Sequence, residues 1–266
     1  MIVRLVAQTD LKCHAPQNLD QHPALAKKGP YHSIEHDNII IIQFSEIVSS
    51  IPLPPMSSTI VIQDKTPILT AFLLPLLNAH ASANPTPRSP PFFLGISGPQ
   101  GSGKSTLVTT LAATLRTHPH SLNVVVFSAD DLYLTHVDQV ALRELYPDNK
   151  LVRHRGEPGT HDLELAKGVF QSLRDQRETR IPSYDKSAFG GQGDRADEVS
   201  WKKVDGPYDL VIFEGWCVGF RPLRDNMIEE AWNKSRSSGN GTLGNHSLEH
   251  LLFINTKLKD YDAITE

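Results

Sequence analysis

From Phe92 onward, short apolar runs alternate with stretches whose apolar residues recur every three or four positions. The runs 92–97 (FFLGIS), 123–128 (NVVVFS) and 209–214 (DLVIFE) are brief, rich in β-branched and aromatic residues, and bounded by polar loops. That is the pattern of parallel strands buried on both faces. Between and after them, 105–116 places Leu107, Val108, Leu111 and Leu115 at helical spacing, and 137–145 and 162–174 read as further helices. Residues 248–261, with Leu251, Leu252, Ile254 and Leu258, predict a closing helix, and 225–247, which include the run SRSSGNGT, predict a low-complexity surface loop. Strands alternating with helices predict an α/β fold: a doubly wound, mostly parallel sheet flanked by helices.

Upstream of Phe92 the pattern changes. Twelve of the 19 prolines but only one of the 17 glycines, Gly29, lie in residues 1–91. The first 55 residues hold no sustained period and one candidate strand at 38–44, so they are expected to form a poorly ordered N-terminal extension. Within 56–91, Thr66 and Pro67 predict a helix start ahead of the apolar run 68–77, which is expected to pack on the main domain. The proline-dense stretch 84–91 reads as a linker, and 92–266 as the main domain.

Composition narrows the function classes. A hydrophobic fraction of 39% and a charged fraction of 21% suit a chain that buries a core, and a net charge of −4 argues against a general nucleic-acid binder. No run approaches the length of a membrane span. Two cysteines, Cys13 and Cys217, cannot build a disulfide framework, so a reducing, cytoplasmic setting is expected.

The chemistry is concentrated where the first strand of the main domain meets its helix. Residues 98–105, GPQGSGKS, fit G-x-x-x-x-G-K-[ST] at every fixed position. Glycines let the backbone of Gly98, Pro99, Gln100, Gly101, Ser102 and Gly103 curl so that its amides face phosphate oxygens, and the helix beginning at Ser105, with Thr106 in its first turn, adds its unpaired N-terminal donors. Lys104 would reach the β- and γ-phosphates, and the Ser105 hydroxyl would ligate Mg²⁺. This makes the fold class a P-loop NTPase. Because no Asn-Lys-x-Asp guanine reader is present, ATP is preferred by elimination.

Two acidic strand ends refine the picture, since ligands in open α/β sheets sit beyond the carboxyl ends of the strands. Asp130, in Ala-Asp-Asp-Leu-Tyr133, is a candidate base for a substrate hydroxyl or an outer magnesium partner; one of the two aspartates is equally accounted for as a helix cap. Glu214 ends an apolar strand, where it would hold magnesium directly or through water. Two polar segments between the second and third strands have no use in a bare NTPase. One carries Arg155, His161 and Asp162, with Asp162 doubling as a candidate helix cap. The other, a glycine-hinged loop with Tyr184, Lys186 and Arg195, could fold over a small anionic substrate.

Taken together, GPQGSGKSTL, FSADDLYLT, RGEPGTHDLELA, IPSYDKSAFGGQGDRAD and VIFEGWCVGF resemble the D-glycerate 3-kinase type of P-loop kinase, itself related to uridine kinase, phosphoribulokinase and pantothenate kinase. The resemblance covers roughly residues 60–266. It implies ATP- and Mg²⁺-dependent transfer of a γ-phosphoryl group to a small-molecule hydroxyl, with D-glycerate the first candidate, and no nucleic-acid or membrane partner. It further implies Asp130 as base beside Tyr133, Glu214 as metal acid, and Tyr184 and Lys186 near the acceptor. A glycerate carboxylate would pair with Lys186, Arg195 or Arg155. The family pattern also implies a further strand and an arginine-bearing lid beyond Glu266, so the chain reads as C-terminally truncated. On that reading the alternative is an ATP-binding regulatory or scaffold protein with impaired catalysis.

Overall fold

A computed structural model describes residues 34–36, 39–43, 64–86, 88–239 and 241–265. Its centre is a five-stranded sheet in the order β1-β2-β3-β9-β4. The strands are β1 (Ile34–His36), β2 (Ile39–Gln43), β3 (Phe92–Ser97), β4 (Val124–Ser128) and β9 (Leu210–Gly215). Only β1 is antiparallel to its neighbour; β2, β3, β9 and β4 all run the same way. Helices α1 (Thr66–Ala83), α2 (Lys104–Arg116), α3 (His136–Leu145), α4 (Leu163–Arg174), α5 (Asp225–Ser238), α6 (Leu248–Leu258) and α7 (Asp262–Thr265) surround it. Among the described residues no helix is long and apolar enough to cross a membrane.

Strand alternation divides the core in two. Leu94, Ile96, Val124, Leu210 and Ile212 face α1 and α2, meeting Leu69, Leu73, Leu107, Leu111 and Leu115. Phe93, Val125, Phe127, Val211 and Phe213 face the other way, against Phe170 and Leu173 of α4 and against Leu258, Tyr261 and Ile264. Strands β3, β4 and β9 are packed on both faces, which is why their sequences are apolar throughout rather than alternating.

Four features differ in detail from the sequence expectation. The strand foreseen at 38–44 is present as β2, but it belongs to the main sheet: Ile39 lies opposite Phe93 and Gln43 opposite Ser97. Its isoleucines explain the placement, Ile40 and Ile42 joining the α1–α2 core and Ile41 the opposite one. Apart from β1 and β2, the segment 1–55 lies outside the described residues. Helix α1 takes its first amide acceptor from Asp64 Oδ1, 2.9 Å from Thr66 N, rather than from a Thr66 cap, and it continues through Pro75.

The loop expected at 225–247 is a correction: 225–238 form α5. Ile228, Trp232 and Leu243 close a small core with Leu251, and Gly239 in the left-handed region ends the helix. The glycine-hinged segment is also more ordered than a free loop. Two short antiparallel ribbons frame it, β5 (Thr179–Ile181) with β8 (Lys202–Val204) and β6 (Tyr184–Asp185) with β7 (Asp194–Arg195).

Candidate active site

The parallel strands β3, β4 and β9 all present their carboxyl ends to one cleft of about 1450 Å³. From β3 the chain turns through the P-loop into α2. Gly103 sits at φ 89°, a left-handed conformation that glycine adopts without strain, and no side chain caps the helix behind it. The first amides of α2 are therefore left for an anion. Lys104 is almost wholly buried along its stem and donates from Nζ to the Pro99 carbonyl at 3.3 Å. Gly98, Pro99, Gln100, Gly101, Gly103, Lys104, Ser105 and Thr106 all line the cleft, whereas the Ser102 hydroxyl is buried without a hydrogen-bond partner among the described residues.

Glu214 stands at the end of β9, with its backbone opposite Ile96 on one side and Ser128 on the other. The Ser105 hydroxyl donates to its Oε1 at 3.2 Å. The two hard oxygen ligands foreseen for magnesium are thus adjacent, and such a pair suits an ion that keeps most of its shell for water and phosphate.

At the end of β4 the chain enters a short 3₁₀ turn, Ala129–Leu132, closed by a capping box. The Ser128 hydroxyl accepts from Asp130 N at 3.2 Å, and Asp131 Oδ2 accepts from Ser128 N at 3.3 Å. Asp131 is thereby the structural member of the pair, and burial, aided by the charge of Asp130, raises its carboxyl. Asp130 is free to face the cleft. Tyr133 donates to its Oδ1 at 2.9 Å and Lys186 to its Oδ2 at 2.6 Å. Burial pushes the Asp130 carboxyl up, but the hydrogen bonds from Lys186 and Tyr133 outweigh it and leave the group below its ordinary value. Asp130 is ionised at neutral pH, as a proton acceptor must be.

The remaining predicted residues divide into two groups. Arg155 and Lys186 line the cleft with Asp130, Tyr133 and Glu214. Arg155 also holds the glycine-hinged segment: it donates to the carbonyls of Gly191 and Gln192 and lies over the Tyr184 ring at 5.5 Å. Tyr184 packs against Gly193, where a Cβ would fall 2.5 Å from the ring, so only glycine fits. His161, Asp162, Tyr184 and Arg195 lie behind the cleft wall rather than on it.

That second group supports Tyr133. Arg195 donates to Asp162 Oδ2 at 2.8 Å and to the Tyr133 carbonyl at 3.0 Å, while Asp162 Oδ1 caps α4 through Leu165 N at 2.9 Å. His161 stacks on Tyr133 with ring centroids 4.5 Å apart, and its Nδ1 meets the Tyr261 hydroxyl. Burial lowers His161 to about 4 against the opposing pull of Asp130, so the ring is neutral.

The comparisons with known proteins agree with this geometry. The model of the phosphoribulokinase/uridine kinase family matches residues 93–230, from β3 into α5. The chain belongs to that family. An uncharacterized kinase, mug58, of Schizosaccharomyces pombe is 48% identical over 183 residues, covering 68% of this chain and 63% of that protein. The chloroplastic D-glycerate 3-kinase of Arabidopsis thaliana is 40% identical over 144 residues, covering 53% of this chain and 31% of its own. This chain therefore spans less than two thirds of either relative. Among solved structures, a D-glycerate 3-kinase from Cryptococcus neoformans superposes with a TM-score of 0.68 at 36% identity, covering 76% of this chain and 70% of that one. The P-loop kinase fold expected from the sequence is the fold observed.

Other members of the cleft wall were not singled out from the sequence. His154, Gly156, Glu157, Gly191, Trp216 and Phe220 also line it. Trp216 follows the Glu214-Gly215 strand end and donates from Nε1 to the Gly156 carbonyl at 2.9 Å, tying the β9 turn to the segment that carries Arg155. All but His154 lie within the runs that carry the family resemblance, although none was singled out there as a site residue. These residues flank Arg155 and Glu214, but nothing in their spacing says that the two segments meet.

Proposed function

We propose that this family member is an ATP-dependent kinase that transfers the γ-phosphoryl group to a hydroxyl of a small hydroxy acid, with D-glycerate the first acceptor to test. The observation carrying this reading is that the P-loop, the Ser105–Glu214 pair and the ionised Asp130 all open onto one cleft. Backbone amides of 98–105 and the Lys104 ammonium would hold the phosphates. Ser105 and Glu214 would hold Mg²⁺, which when bound neutralises charge on the β- and γ-phosphates. Asp130 would take the proton from the acceptor hydroxyl as its oxygen bonds to the γ-phosphorus and the bond to the bridging oxygen breaks, releasing ADP. Arg155 and Lys186 would pair with the acceptor's carboxylate, with His161, Asp162, Tyr184 and Arg195 holding Tyr133 and the glycine-hinged segment in register.

Similarity to proteins described as D-glycerate 3-kinases favours glycerate over a nucleoside. The net charge of −4 and the two cysteines favour a small-molecule acceptor in a reducing compartment such as the cytoplasm over nucleic acid. A coupled assay of ADP release, with and without D-glycerate, tests the proposal. Glycerate-dependent release is expected; ATP binding with no acceptor-stimulated release would favour a regulatory role instead.

A further inference from the structure

Asp130, the group that would take the acceptor's proton, is already engaged on both of its carboxylate oxygens. Oδ1 accepts from Tyr133 at 2.9 Å and Oδ2 from Lys186 at 2.6 Å. Hydrogen bonds to the ionised form stabilise it, and they weaken it as a proton acceptor by the same amount. The two partners differ in how firmly they are held. Tyr133 is buried, stacks on His161, and its carbonyl accepts from Arg195 at 3.0 Å. The Lys186 side chain is 56% exposed, and among the described residues its ammonium donates to Asp130 alone.

The main chain around Lys186 is fixed. Arg155 donates to the Lys186 carbonyl at 3.4 Å, and Asp185 Oδ1 accepts from Ser187 N at 2.9 Å. Side-chain rotation alone therefore redirects the ammonium, and Lys186 is the movable partner of Asp130. Both groups stand on the cleft wall with Arg155, so the ion pair is open to a ligand. A carboxylate held by Arg155 and Lys186 competes with Asp130 for the ammonium. That ammonium has three donors and can serve two anions, but sharing it weakens its hold on Asp130 and returns basicity to the carboxylate. Water and uncharged alcohols have no charge with which to compete.

We propose that Lys186 makes the base conditional on an anionic acceptor: with nucleotide alone it restrains Asp130, and an acceptor carboxylate shares the ammonium and releases that restraint. The site thereby favours hydroxy acids over water and uncharged alcohols. This inference rests on the phosphoryl-transfer reading of the same cleft. The reaction held back is hydrolysis, in which a water oxygen bonds to the γ-phosphorus, the bond to the bridging oxygen breaks and Asp130 takes the water proton, giving ADP and inorganic phosphate.

Release of inorganic phosphate from ATP by the full chain with Mg²⁺ tests this, at a mildly alkaline pH where Asp130 is ionised with or without the lysine. It is measured with no addition, with D-lactate and with propane-1,2-diol. D-Lactate has the carboxylate of D-glycerate but a methyl in place of its terminal hydroxymethyl group, so it engages Lys186 and leaves the acceptor position to water. Phosphate release by the parent is expected to rise about tenfold or more with D-lactate and to stay unchanged with the diol. Lys186→Met should release phosphate about tenfold faster than the parent with no addition, and D-lactate should raise that rate no further. No response of the parent to D-lactate, an equal response to the diol, a Lys186→Met rate at or below that of the parent, or a further rise of that rate with D-lactate would each overturn the proposal. The D-lactate result on the parent stands even if the variant fails to fold. Glycerate-dependent ADP release alongside any of those contrary results would overturn the role of Lys186 and leave the kinase reading intact. Failure of the parent to bind ATP in a calorimetric titration would overturn both.

Discussion

Lys186 Nζ lies 2.6 Å from Asp130 Oδ2, joining the glycine-hinged segment to the acid at the end of β4. The contact spans 56 positions of sequence and helps to keep the candidate base ionised. Without the lysine, two of the influences that offset burial are lost and the Asp130 carboxyl rises. The expected consequence of Lys186→Met is that the acid limb of the pH–rate profile for kcat moves to higher pH, by about a unit or more. An acid limb that stays in place in this variant would mean that Lys186 does not tune Asp130.

The P-loop lysine makes a different prediction. Among the described residues the Lys104 ammonium hydrogen-bonds the Pro99 carbonyl and no carboxylate, so its charge is not needed to hold the fold. Lys104→Met, which keeps the buried stem, should lower ADP formation by about 10²-fold or more while leaving the melting temperature near that of the parent. A matching loss of melting temperature would instead identify the lysine as a structural strut.

His161 gives the molecule a pH dependence unrelated to turnover. Its folded value is about 4 against an ordinary 6.5, owing first to burial. An unfolded chain takes up a proton below pH 6.5 while the folded chain does not until about pH 4, so stability falls as the pH drops through that window. The contribution amounts to about 3 kcal/mol at most. Denaturant unfolding from pH 7 to 4 should show a shallower decline for His161→Gln than for the parent; equal slopes would contradict the neutral buried ring.

Arg195 is expected to act through Tyr133. It bridges Asp162 and the Tyr133 carbonyl and is itself only 16% exposed in its side chain. Arg195→Gln should lower kcat by about tenfold, by releasing the tyrosine that bonds Asp130, with a smaller effect on affinity for the nucleotide. A loss confined to nucleotide binding would contradict that route.

Much of this site was legible in the sequence because its parts are local. The P-loop needs consecutive residues with backbone freedom, and Gly103 is at the required left-handed angle. Apolar runs named β3, β4 and β9, and strand ends placed Asp130 and Glu214. What spacing could not convey was which long-range partners consume a polar group. Asp162 and Arg195 look like ligands in isolation, yet they pair with each other behind Tyr133. The same holds for α5, whose Ser- and Gly-rich end hid the apolar positions Ile228 and Trp232 that tie it to α6.

The most direct test compares nucleotide binding with turnover in Asp130→Asn. This exchange preserves shape and removes the proton acceptor. The account predicts unchanged affinity for ATP and glycerate-dependent ADP release reduced by about 10²-fold or more. Turnover equal to that of the parent would contradict the assignment of Asp130 as the base on which the proposed chemistry turns.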